Sequence, residues 1–239
     1  TLIMLYPMPP REGGDSERLF FSKLCSDFGI QFIDAGAALA KYPTEAVTLQ
    51  PANAHLSRFG NYIVANQILH NLPSMNHQAT IVKHDTRSTI FGDLDPNSDR
   101  ILIYNRNLPF QEITNSHGLR MIRDLDFPST RQRVLLLGDS FTYGAHLNNQ
   151  DTYPAILQYL DKTREYLNAG VSGYSIVEEY ELWSEKAKFT QPDIVILQAH
   201  DNDIISGMTT YKKNLVLRNK KVYQYSEIEK QFITDNIKH

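Results

Sequence analysis

Cysteine is almost missing from this 239-residue chain: Cys25 stands alone. One thiol excludes an internal disulfide and leaves the redox compartment open. Cys25 lies in the apolar pattern around Leu19-Phe20-Phe21-Ser22-Lys23-Leu24, where a small buried hydrophobe fits better than a reactive thiol. Charge of one sign is also scarce. A net charge of −3, with 21% charged residues, offers no electrostatic case for nucleic acid or an anionic membrane surface. No apolar run nears the ~18 residues a spanning helix requires, so no transmembrane segment is expected. Internal repeats and low-complexity tracts are missing, which excludes a repeat architecture. An initiator Met is lacking and the chain starts inside an apolar run; it reads as an excised or processed domain whose targeting segment, if any, is invisible. The 41% apolar fraction is ample for a core, and the length fits one α/β domain or a domain plus a small accessory.

Five short apolar runs read as parallel strands: 2–6, 30–33, 133–137, 165–167 and 193–197. Helical patterns at 15–28, 61–72, 151–161 and 176–189 alternate with them, which predicts a doubly wound sheet. Residues 73–130 are polar, carry Pro96, Pro109 and Pro128, and hold one clear strand at 101–104. They are expected as an irregular, partly β segment. The tail from 208 carries a hairpin-like stretch at 214–223 and then a weakly amphipathic helix.

The most informative stretch is Val134-Leu135-Leu136-Leu137-Gly138-Asp139-Ser140. Four apolar residues in a row suit a strand buried on both faces. The Gly-Asp-Ser turn that follows puts Ser140 at a strand's carboxyl end and a helix start. Open α/β sheets bind ligands at such edges, and helix N-termini stabilise developing negative charge. Three further segments complete a kit for acyl transfer. Asn168-Ala169-Gly170-Val171-Ser172-Gly173 is a turn able to aim a backbone N–H at an oxygen. His200-Asp201-Asn202-Asp203 brings an amide to a third strand edge, and Asn53-Ala54-His55-Leu56-Ser57 supplies an imidazole on a loop entering a helix.

Together these four blocks resemble the SGNH hydrolases, the GDSL esterase/lipase superfamily. The resemblance covers most of the chain, because Thr114-Asn115-Ser116-His117-Gly118-Leu119-Arg120 is similar to the lead-in that precedes the serine block in many members. It implies a three-layer α/β/α sandwich on a mostly parallel, flavodoxin-like five-stranded sheet. It implies Ser140 as nucleophile, His55 as base with Asn53 beside it, and an oxyanion hole from Ser140, Gly173 and Asn202. His200 and Asp139 are expected to meet substrate. Neither metal nor cofactor is expected. The implied activity is hydrolysis of a small acyl ester, such as O-acetyl on a carbohydrate, through an acyl-serine. The alternatives are polysaccharide O-acetyl transfer, or a catalytically weakened domain that binds glycan or protein. The expected partner is thus a small-molecule or carbohydrate ester, and secretion or attachment to the cell envelope follows from the resemblance alone.

Three departures from the family pattern stand out. His200 occupies the place of a Gly two residues before Asn202. The carboxylate expected before the histidine is missing, with Ala52 and Asn53 in its place. The histidine block also comes first, where family members place it last. Residues 1–72 read as the family's C-terminal half, 73–130 as the lead-in, 131–207 as its N-terminal half and 208–239 as a tail. That order fits a circular permutation, halves of two tandem domains, or numbering that does not follow native chain order.

Elsewhere, Asp93-Leu94-Asp95-Pro96-Asn97-Ser98-Asp99 has the opening spacing of a calcium loop. It lacks the Gly at its sixth position (Ser98) and an acid at its twelfth (Tyr104), so a solvated turn is expected. The basic run Arg218-Asn219-Lys220-Lys221 reads as a solvated hairpin edge.

Overall fold

The computed structural model describes residues 1–9, 16–51, 53–74, 90–103 and 109–200, with the strand paths of 215–218 and 221–224. In chain order the first elements are β1 (Leu2–Tyr6), α1 (Ser16–Phe28), β2 (Gln31–Asp34), α2 (Gly36–Leu39), α3 (Thr44–Val47) and α4 (Arg58–Asn71). A ribbon of β3 (Asp99–Leu102) and β4 (Phe110–Ile113) follows. Then come β5 (Gln132–Leu137), α5 (Ser140–Tyr143), α6 (Tyr153–Leu160), β6 (Arg164–Asn168), α7 (Ile176–Glu185) and β7 (Ile194–Gln198). The tail holds β8 (Leu215–Arg218) and β9 (Lys221–Gln224), an antiparallel hairpin where the sequence predicts one. The helix expected beyond it lies outside the described residues.

All five main strands are parallel, in the spatial order β2-β1-β7-β5-β6. Counted from β5 as strand one, that order is 2-1-3-4-5, the flavodoxin-like arrangement. Every residue of β5 is buried, as a central parallel strand requires. Val134 and Leu136 join the core under α4 and α6, while Leu135 and Leu137 join the opposite core with Leu182 of α7. Register places α1 on the α7 side: Met4, which touches Cys25, aligns with Leu197. The chain is therefore a three-layer α/β/α sandwich. Among the described residues no helix is long and apolar enough to cross a membrane.

Several local signals act as expected. Pro154 opens α6, where a missing N–H costs nothing. Glu178 accepts from the Ser175 N–H (2.9 Å) at the start of α7. Two elements differ from expectation. The pattern at 176–189 breaks after Glu185 into a separate 3-10 turn, Ala187–Thr190. The second ribbon strand, Phe110–Ile113, was not anticipated, because it buries the charged Glu112. Arg100 (Nε to Oε1, 2.7 Å) and the Tyr143 hydroxyl compensate that carboxylate.

Candidate active site

The serine turn sits at the carboxyl end of β5. Gly138 is required by close approach: a Cβ there would lie 2.1 Å from Thr142 Oγ1. Asp139 caps α5, its Oδ1 accepting from the Phe141 N–H at 2.9 Å. Ser140 thereby becomes the first residue of α5, and its own N–H is one of the end groups without an intrahelical partner.

The histidine arrives from the other half of the chain. His55 precedes α4, whose N-cap Ser57 accepts from the Gly60 N–H (3.1 Å). The loop is pinned by Leu49 N–H to His55 O (2.8 Å), Ser57 N–H to Val47 O (2.9 Å) and a Thr48–Leu56 bridge. Asn61 joins the two halves. Its Nδ2 donates to Leu56 O and Ser57 O, and its Oδ1 accepts from the Tyr153 N–H of α6 at 2.9 Å. The outcome is a His55 Nε2 to Ser140 Oγ distance of 2.9 Å across 85 positions of sequence.

Asn53 completes the array. Its Oδ1 lies 3.0 Å from the His55 backbone N–H and 3.2 Å from His55 Nδ1. A backbone N–H only donates, so the Asn53 atom facing it is the oxygen rather than the NH2. That oxygen can accept only from an Nδ1–H, which leaves the Nε2 lone pair facing the Ser140 hydroxyl. This is the tautomer a general base needs. The fit leaves a cost elsewhere, because Asn53 Nδ2 is shielded and lacks a hydrogen-bond partner.

Desolvation lowers the His55 pKa below its ordinary value, and the neighbouring His146 lowers it further. Asp139 opposes the shift and His200 adds to it. The imidazole is thus held neutral and ready to accept a proton near pH 7. Its ring is fixed between Phe141 (5.1 Å, 30°) and His146 (5.1 Å, 64°).

The other expected residues fall as follows. Asp139 is fully buried, a position from which its side chain caps α5. His200 is buried and stacked on Phe141, with 4.9 Å between ring centres. Gly173 occupies an exposed turn at φ +90°, open on its Cβ side. Gly170 is packed against Thr142 and Tyr143, but its N–H is engaged by Asn168 Oδ1 (3.0 Å). Asn202 lies outside the described residues.

Three residues escaped the sequence reading of the site. His146 takes a left-handed φ of +68°, uncommon for a residue with a side chain, and this turns its ring onto His55. Arg120, the last residue of the lead-in motif, is buried and donates to Tyr143 O (2.6 Å), Gly144 O (2.9 Å) and Leu147 O (2.6 Å). It satisfies the carbonyls at the carboxyl end of the serine helix. Gln198 ends β7 and its Oε1 accepts from Asp139 N–H and Thr142 Oγ1–H (3.2 and 3.0 Å). The calcium-like loop is instead engaged by protein: Asp93 with Lys186 and Tyr174, Asp95 with Arg100. Among the described residues no three or more metal-ligating side chains converge.

Fold and site define an α/β protein of three-layer architecture on a flavodoxin-like parallel sheet, with a hydroxyl, an imidazole and an amide aligned at the carboxyl rim of that sheet. No family model matches the chain, and no curated protein matches it. Among solved structures it is similar to the O-acetyltransferase domain of Pseudomonas putida AlgJ. That likeness covers 83% of this chain and 74% of the other, at 14% identity and a TM-score of 0.48.

Proposed function

We propose that this chain is an SGNH-type enzyme that cleaves small acyl esters through a covalent acyl-serine, with its motif blocks circularly permuted. The observation that carries this reading is the 2.9 Å contact between His55 Nε2 and Ser140 Oγ, made by residues from opposite halves of the sequence. In the proposed cycle Ser140 Oγ attacks the ester carbonyl carbon while His55 Nε2 takes the hydroxyl proton. The imidazolium then hands that proton to the departing alkoxide, and the acyl group remains on Oγ. Water or an acceptor hydroxyl, deprotonated by His55, attacks the acyl carbon and restores free Ser140. The Ser140 and Gly173 N–H groups and the Asn202 amide are assigned to the oxyanion, where one lost donor typically costs about 10² to 10³ in turnover.

The assigned substrate is a short acyl group, acetyl on a carbohydrate in the first instance. Hydrolysis and transfer share the acyl-serine and differ only in the acceptor, so p-nitrophenyl acetate assayed with and without an added oligosaccharide separates them. Ser140→Ala is expected to abolish turnover with the fold retained. Unchanged turnover in that variant removes Ser140 as nucleophile, whereas no turnover by the parent chain leaves a binding domain.

A further inference from the structure

A cleft of about 820 Å³ lies beside β6, one of the two edge strands of the sheet. None of its lining residues lines the small pocket at Ser140. Its walls come from α4, α6 and residues 121–123. Phe59, Tyr62, Ile122 and Tyr159 line it and each leave 40% or more of their surface exposed. Apolar surface gathered in a concavity is what small-molecule sites provide.

The β6 edge along this cleft is closed to strand addition. Gln158 Oε1 accepts from the Tyr166 N–H (3.1 Å), Gln158 Nε2 donates to Arg164 O (3.1 Å), and the Arg120 N–H donates to Asn168 O (2.9 Å). One polar group is left over. Asn168 lines the cleft at 1% exposure, and its Nδ2 has no hydrogen-bond partner. A buried donor in this state is stabilised by an incoming oxygen.

The charge around the cleft is positive. Arg123 makes no ion pair among the described residues; Arg131 also lines it, as does Arg58, which is paired with Asp151 at 3.1 Å. The acid in the lining, Glu165, is held by Arg133 at 2.7 Å and Arg131 at 3.5 Å. Apolar walls with so few open polar partners suit a saccharide poorly, because its buried hydroxyls would go unsatisfied. They suit an apolar body with a single anionic end.

We propose that this cleft is a second ligand site, separate from Ser140, for an unbranched acyl chain bearing a free carboxylate. The proposal stands independently of the acyl-serine reading. Calorimetric titration of the full chain with dodecanoate tests it. Saturable one-to-one binding is expected, with a Kd below about 1 mM. Ala155→Trp, which fills the cleft from α6, is expected to abolish binding. Arg123→Glu, at an exposed side chain, is expected to weaken it about tenfold. Dodecanol is expected to bind more weakly than dodecanoate and to ignore Arg123→Glu. Ser140→Ala is expected to bind dodecanoate like the parent chain. If a melting curve shows Ala155→Trp misfolded, Arg123→Glu carries the test. Absence of saturable binding, binding untouched by Arg123→Glu, displacement of dodecanoate by glucuronate, or loss of binding in Ser140→Ala would each overturn the proposal.

Discussion

Ser140, His55 and Asn53 form a hydrogen-bonded chain whose orientation is set by one backbone amide. In serine proteases, changing the triad Asp to Asn costs about 10⁴ in turnover because the amide enforces the wrong tautomer. Here the His55 N–H holds the Asn53 oxygen toward Nδ1, so the tautomer is right and only the negative charge is missing. Asn53→Asp is therefore expected to raise kcat for p-nitrophenyl acetate; a fall in kcat would show that charge at this position is not what limits the reaction. The pH profile provides a second check. A base works deprotonated, and burial together with His146 lowers the His55 pKa, so the acid limb of kcat/KM is expected below pH 6.5. His146→Phe removes a like charge and should move that limb upward. The serine and histidine were legible because each sits at a strand or helix boundary with its own cap. His146 was not, since nothing in Gly144-Ala145-His146 announces a left-handed backbone.

Among the elements, α4 and α5 must keep register for the hydroxyl and imidazole to meet. Asn61 and Arg120 do this, one through the Tyr153 N–H and the other through carbonyls that follow Ser140. Asn61→Leu leaves a buried N–H unsatisfied, with an expected loss of about 1–3 kcal/mol in denaturant unfolding. Its kcat should fall further than that of a surface variant of equal stability, because α4 carries the His55 loop. Strands and helices with clean apolar periodicity were readable to within a few residues at their ends. The second ribbon strand was not, because Phe110-Gln111-Glu112-Ile113 owes its burial to partners distant in sequence, Arg100 and Tyr143.

For the whole molecule, the question is how 1–72 and 131–200 make one sheet. β1 pairs with β7 in register from Leu2 with Val195 to Leu5 with Gln198, and one core cluster draws on both halves. The strands of both halves were legible because each has its own apolar run. The partner of each edge was not, since parallel pairing is fixed by packing across the sheet and leaves no local mark. Thermal unfolding by calorimetry is expected to give a single transition, whereas two separated transitions would mean that the halves fold as independent units.

The most direct measurement is the intact mass of the chain after treatment with a fluorophosphonate, followed by peptide mapping. One adduct on Ser140 is predicted, formed about 10² or more times slower in His55→Ala, as expected when a general base is removed. No adduct, an adduct on another residue, or a rate indifferent to His55 would contradict an activated serine at this sheet rim.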